Sequence, residues 1–296
     1  MSNNLTVALI QHEMVDDAQT NIELTLTLIG QAASQGARLM ILPELHRTPY
    51  FCKSQDPKVF DQAEPLRGPT FENLSRAAQT HNAVIVGSIF ESRQVGLASN
   101  TAIVVEADGE LAGYYRKMHI PDDPGYNEKF YFAPGDTGFR PIDTSVGRLG
   151  VCVCWDQWFP EAARLMALAG ADLLIYPTAI GWDPSDEAAE KSRQLGAWKI
   201  MHQAHAVANG LHVMACNRVG YEPDPDGNRH PAHFWGHSLV AGPQGEILAE
   251  GGEVREVICA QVDLARSHSV RRMWPFLRDR RIDAYGGLLE RSLEDQ

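Results

Sequence analysis

The sequence predicts a layered α/β protein in which helices cover two packed sheets, and three observations predict it. The chain opens strand, helix, strand: residues 5–10 are an apolar run, residues 21–33 repeat Ile, Leu and Ala at helical spacing, and residues 37–42 are apolar again. Ala107-Asp-Gly-Glu110 between two further apolar runs is a hairpin signal, which makes the sheet mixed rather than purely parallel. The second half then repeats the order of the first, strand, helix, strand, helix and hairpin strands, with no sequence repeat, linker or low-complexity segment. That order fits one domain over residues 1–296 better than two.

Gly36 closes the first helix, and Pro43-Glu44-Leu45 ends the second strand. Glu44 therefore falls at a strand's carboxyl end, where open α/β sheets build their sites. Residues 47–68 read as a polar-aromatic loop, 70–81 as a helix, 83–90 as a strand, and 101–106 with 111–115 as the hairpin arms. Residues 118–139 carry three prolines, three glycines and several aromatics without a period, which predicts a long ordered loop of functional type. Strands follow at 140–146 and 149–154, then a helix over 160–169 with proline in its first turn and Gly170 after it. Residues 173–176 form the next strand, and 186–209 a long helix ended by Gly210. The last strands are 211–216, 235–241, 246–249 and 257–262, with Gly242-Pro-Gln-Gly245 a tight turn. The extension 266–296 has no place in this core and is expected to make subunit contacts or wrap the surface.

A net charge of −12 argues against non-specific binding to nucleic acid or an anionic membrane and is compatible with a small cationic substrate. Five cysteines, an odd number, do not form a disulfide framework. Met1-Ser-Asn-Asn-Leu-Thr lacks the features of a signal peptide and no run reaches membrane-spanning length, so a cytoplasmic location is expected.

Cys154 ends the strand 149–154 just before the helix that starts at Pro160. Helix amides there favour thiolate, and the turn aims the sulfur at a pocket; the alternative is a small buried apolar residue. A cysteine hydrolase also needs a proton-transfer group and a positive charge for the oxyanion. None of the eleven histidines has a context that singles it out, whereas Glu44 and Lys117 each follow a predicted strand, although either is also readable as a solvated surface charge. Cys152 and Cys154 supply at most two of four tetrahedral zinc ligands and the other cysteines stand alone, so no metal is expected. Gly-x-Ser-x-Gly, a phosphate loop and a dinucleotide fingerprint are missing, which leaves serine-hydrolase and nucleotide chemistry without support.

Pro43-Glu44-Leu45, Tyr115-Arg-Lys117-Met-His-Ile-Pro121 and Cys154-Trp-Asp-Gln-Trp-Phe-Pro-Glu161 resemble, in order and spacing, the three motifs of the nitrilase superfamily of carbon-nitrogen hydrolases. The resemblance runs from Val7 to about Tyr285. Residues 120–132, 134–138, 176–181 and 276–281 are most similar to the corresponding strings of N-carbamoylputrescine amidases. It implies a four-layer α-β-β-α sandwich with two mixed sheets, a homo-oligomer of dimer size or larger, and no cofactor. Residue by residue, Glu44 matches the general base, Lys117 the proton donor or oxyanion stabiliser, Cys154 the nucleophile, and Glu128 the second glutamate beside the lysine.

The implied substrate is a cationic ureide, hydrolysed through a cysteine thioester to putrescine, carbon dioxide and ammonia. Its ammonium-ended chain calls for an aromatic or apolar channel with a carboxylate at the far end. Tyr50, Phe51, Tyr126, Phe132, Trp155 and Trp158 are channel candidates, Thr178 lies in the 176–181 string, and Asp122, Asp123, Asp183 and Glu187 are candidate acids. Trp182-Asp183-Pro184 stands in a segment that varies among relatives, which leaves acyl-side specificity open. An amidase for carbamoyl-β- or carbamoyl-D-amino acids, which would want an arginine in place of the acid, is the nearer alternative; a non-catalytic binding protein on the same fold is the more distant one.

Overall fold

The computed structural model describes residues 4–223 and 231–294. Residues 1–3, on which the reading of the N-terminus partly rests, and the tip of the extension at 295–296 lie outside the described residues. The first half comprises β1 (Asn4–Gln11), α1 (Ala18–Ser34), β2 (Leu39–Ile41), α2 (Pro69–His81), β3 (Val84–Gln94), β4 (Leu97–Val105) and β5 (Leu111–Arg116). One-turn α3 (Glu128–Tyr131) leads into β6 (Ile142–Thr144), β7 (Gly147–Val151), α4 (Pro160–Leu168), β8 (Leu173–Pro177), β9 (Gly181–Trp182) and α5 (Ala188–Asn209). The chain finishes with β10 (His212–Cys216), β11 (Val219–Glu222), β12 (Ala232–Trp235), β13 (Leu239–Ala241), β14 (Ile247–Glu250), β15 (Glu256–Asp263) and α6 (Leu264–Met273).

One six-stranded sheet runs β15-β1-β2-β3-β4-β5 and the other β6-β7-β8-β10-β13-β14. Taken in those orders, both show the same succession of pairings: antiparallel, parallel, parallel, antiparallel, antiparallel. The repeated element order in the sequence is thus a repeated sheet, and both sheets are mixed.

Period-two alternation decides what each strand face meets. Val7 and Leu9 of β1 join Val151 and Ile175 in the core between the sheets, whereas Ala8 and Ile10 pack against Leu28, Ile29, Leu74 and Ala78 of α1 and α2. Ala163, Met166, Trp198 and Ala206 bring α4 and α5 onto the second sheet. The layers are therefore α-β-β-α, and each fully buried aliphatic side chain contributes about 1.5–3 kcal/mol toward holding them together.

Four local expectations change. The strand expected over 149–154 stops at Val151, and Cys154–Trp158 wind a tight 3₁₀ turn before α4 starts. The strand expected over 235–241 is two strands, because Gly236 (φ 63°) and His237 (φ 51°) turn the chain between β12 and β13. The arms of β3 and β4 are longer than expected and meet at a hairpin around Gly96, whose φ of 78° suits glycine. The extension is not wholly outside the core: Ser267 pairs with His212 Nδ1 at 3.0 Å, and Arg271 Nε donates to Asn209 O at 2.9 Å. At the end of α6 and beyond it, Met273, Trp274, Phe276, Ile282, Leu288 and Leu289 are exposed. No helix among the described residues is long and apolar enough to cross a membrane.

Candidate active site

Four loops at the carboxyl ends of the parallel strands and beside them bring the polar residues together. Glu44 follows β2, and its N–H donates to Thr178 O beyond β8 at 3.3 Å, which ties the two sheets at this point. Lys117 directly follows β5 and stays in register with β4 through its N–H to Asn100 O, 2.9 Å. Glu128 opens α3, inside the long loop, and Cys154 opens the 3₁₀ turn with φ at 44°. A left-handed backbone at a non-glycine residue costs on the order of 1–3 kcal/mol and persists where the surroundings over-determine it.

The surroundings here are Asp156, which is fully buried. Its Oδ2 accepts Val153 N–H at 2.9 Å and Tyr115 O–H at 2.9 Å. Its Oδ1 accepts His119 N–H at 3.0 Å and lies 2.6 Å from His119 Nδ1. One carboxylate therefore locks the cysteine turn to the segment that follows Lys117.

Lys117 Nζ donates to Glu44 Oε1 at 2.9 Å and to Glu128 Oε1 and Oε2 at 2.8 and 2.7 Å, all with side chains removed from solvent. Asn100 Nδ2 donates to Glu44 Oε1 at 2.7 Å, and Tyr50 O–H to Glu128 Oε1 at 2.7 Å. Glu44 Oε2 is buried with no hydrogen-bond partner among the described residues. Burial opposes the Lys117 ammonium, yet Glu128 and Glu44 outweigh it and hold its pKa well above the usual lysine value. Burial, reinforced by Glu44, pushes Glu128 up to about 7 in spite of Lys117. Cys154 is pushed well above an ordinary thiol, by burial first and by Glu44 next, with Lys117 opposing. The expectation that helix amides favour thiolate is thus outweighed: the sulfur is buried, and Glu44 and Glu128 oppose its ionisation.

Cys154 opens onto a cavity of about 380 Å³ walled by Tyr126, Trp155, Trp158, Ala179 and Trp235. Asp123, Asp183 and Asp186 also line it, and among the described residues its lining includes no lysine, arginine or histidine. A mostly apolar concavity of this size with a few convergent polar groups suits a small ligand. No group of three or more His, Cys, Asp or Glu side chains that could hold a metal occurs among the described residues.

Residues 6–272 match the family described as carbon-nitrogen hydrolase. The chain belongs to the carbon-nitrogen hydrolases. This hydrolase is 42% identical over 288 residues to an N-carbamoylputrescine amidase of Solanum tuberosum, covering 96% of this chain and 95% of the relative. It is 38% identical to a citrullinase of Francisella tularensis, covering 97% and 99%. A crystal structure of a carbon-nitrogen hydrolase from Helicobacter pylori G27 superposes with a TM-score of 0.96 at 49% identity, over 98% of this chain and 100% of that one.

The fold of this hydrolase brings Glu44, Lys117, Glu128 and Cys154 into one buried cluster, and it sets Tyr126, Trp155, Trp158, Asp123 and Asp183 on the cavity wall. The other candidates lie elsewhere. Tyr50 sits behind the wall, its ring against Tyr126 at 5.5 Å and its hydroxyl spent on Glu128. Thr178 is buried and donates to Tyr176 O at 3.1 Å. Phe51 and Phe132 belong to an aromatic core with Phe90 and Tyr131. Asp122 and Glu187 are exposed to solvent and do not line the cavity. Sequence reasoning missed Asn100, Asp186, Trp235 and Arg218. None of them carried a local signal in the sequence.

Proposed function

We propose that this hydrolase cleaves N-carbamoylputrescine, with Cys154 as nucleophile, Glu44 as general base and Lys117 as oxyanion stabiliser. The observation that carries the reading is a buried Glu-Lys-Cys cluster opening on a cavity that, among the described residues, is lined by three carboxylates and no cationic side chain.

Glu44 Oε2 takes the Cys154 proton as the sulfur attacks the ureido carbon. Lys117 and the Trp155 amide, one of the first N–H groups of its turn and so without an intrahelical acceptor, hold the negative oxygen. The carbon–nitrogen bond breaks, and Glu44 returns its proton to the departing amine. Water, deprotonated by Glu44, then attacks the carbamoyl thioester and frees the thiol; the carbamate released loses carbon dioxide. Glu128 keeps Lys117 in place throughout and does not touch the carbon.

The four-carbon chain lies along Tyr126, Trp155, Trp158 and Trp235, with its ammonium at Asp123. Asp183 Oδ1 is taken by Ser185, and Asp186 Oδ2 by Gln194 Nε2. Asp123 Oδ1 is buried with no partner among the described residues, and burial raises its pKa, so a cation there relieves an uncompensated group. The likeness to a citrullinase favours a second reading, a ureide ending in an amino acid. Its carboxylate would meet acids rather than a cation among the described residues of this cavity.

The test is ammonia release from N-carbamoylputrescine, citrulline and N-carbamoyl-β-alanine by wild type and by Cys154→Ala. The proposal requires turnover of the first substrate over the other two and none by the variant. Preference for citrulline would replace it, and equal release by both proteins would sink the mechanism. We also infer a homo-oligomer in which the exposed apolar residues after α6 cover a second copy. A chain ending at Met273 should sediment as a smaller species than the full chain.

A further inference from the structure

We infer that Arg218 and Glu222 form a positioning pair that sets the base against its lysine from the same hairpin that walls the cavity. Both are buried, and Arg218 Nη1 meets Glu222 Oε1 at 2.8 Å. Arg218 Nη2 donates to two consecutive carbonyls, Glu44 O at 2.7 Å and Leu45 O at 2.9 Å, and Nη1 also reaches Thr48 O at 3.3 Å. The need for such a grip is local. Leu45 has φ at 48°, so the chain after Glu44 leaves regular structure, and its carbonyls turn to a side chain.

The other end of the pair acts on the second carboxylate. Glu222 Oε2 accepts Tyr50 N–H at 2.7 Å, and the Tyr50 hydroxyl donates to Glu128 Oε1 at 2.7 Å. Lys53 Nζ donates to the same Glu222 oxygen at 3.2 Å and to Glu222 O at 3.0 Å. One ion pair thus holds the backbone beneath Glu44 and the residue that orients Glu128, the two carboxylates on either side of Lys117. In the β11–β12 hairpin, Val219, next to Arg218, pairs with Trp235 of the cavity wall. A shift of the wall is therefore a shift of the base.

Geometry also says why the residue is arginine. A planar guanidinium spans two carbonyls and a carboxylate at once, whereas a lysine ammonium is a single point on a flexible stem. The inference rests on the proposed role of Glu44. It predicts that losing the pair displaces the base without emptying the cavity, and an error of about 1 Å in such a group costs on the order of a hundredfold in rate.

Two variants test this. Arg218→Lys keeps the buried positive charge, and Arg218→Met with Glu222→Gln removes the pair's charges while the amide oxygen still accepts from Tyr50 N–H and from Lys53, which also keeps the Glu222 carbonyl. Each is expected to keep a cooperative melt, to lose about ten- to hundredfold in kcat on N-carbamoylputrescine, and to leave KM within about threefold. Alkylation of Cys154 by iodoacetamide at neutral pH, followed on the Cys154 peptide by mass spectrometry, should slow by a factor similar to that in kcat. Folded variants with wild-type kcat and alkylation, or a loss confined to KM, would overturn the inference. If the wild type releases no ammonia from any ureide, the activity reading fails, while the alkylation comparison still decides the positioning role.

Discussion

Cys154 is a thiol that the fold keeps protonated. Burial and the neighbouring carboxylates oppose thiolate more than Lys117 favours it, so the proposed mechanism makes the nucleophile during attack, when Glu44 takes the proton. Ultraviolet difference spectra at 240 nm, wild type against Cys154→Ala, should therefore show no thiolate from this residue between pH 6 and 8; a thiolate band below pH 7 would refute the account. Asp123 makes a second prediction at this scale. A charge-assisted contact contributes about 1.5–3 kcal/mol, so Asp123→Asn should raise KM for N-carbamoylputrescine about tenfold or more. Hydrolysis of uncharged N-butylurea should be unchanged. Equal effects on both substrates would place the ammonium elsewhere. Glu44, Lys117 and Cys154 were legible as residues because each follows an apolar run, but Asn100 and Arg218 were not, since hydrogen bonds across 56 and 174 residues leave no trace in local pattern.

Among the elements, the cysteine turn depends most on its context. An apolar run into Cys154 and a proline at the next helix suggest a strand that continues to the thiol. In the structure Asp156 ends the strand early by drawing Val153 N–H, Tyr115 O–H and His119 onto one carboxylate. Asp156→Asn replaces one acceptor by a donor facing donors and leaves a buried group unsatisfied. It should cost about 1–3 kcal/mol in urea unfolding and slow turnover as Cys154 leaves its left-handed backbone. Unchanged stability and rate would show that the turn holds itself. The long loop 118–139 was readable as ordered and functional, yet its closure was not. Gly135 N–H donates to Lys117 O at 2.8 Å, and a Cβ on Gly135 would fall on the Arg116 carbonyl, so the loop returns against the strand that carries the lysine.

Over the whole molecule, five buried histidines among the described residues contribute to the response to acid. Burial lowers the pKa values of His12, His46 and His212 to about 4, 3 and 4, and lowers those of His202 and His205. The unfolded chain therefore binds more protons than the folded one between the ordinary histidine value and the depressed ones. Stability from these groups is complete above about pH 6.5 and is lost as pH falls toward 4, by up to about 1.4 kcal/mol per unit for each site. Glu128, raised to about 7, works in the opposite direction but is a single group. Urea unfolding should show a steep fall in stability across that window, and a flat profile between pH 6.5 and 4.5 would contradict it. The sequence by itself determined the α/β class, the repeated element order, the hairpins and the residue types that carry the chemistry, because periodicity, glycine, proline and strand ends are local signals. Only the tertiary structure decided that the thiol is protonated, that Tyr50 and Thr178 stand behind the cavity wall, and that Asp123 rather than Asp122 faces it. Those outcomes depend on burial and on which distant groups share one small volume, quantities that exist only once two sheets have packed.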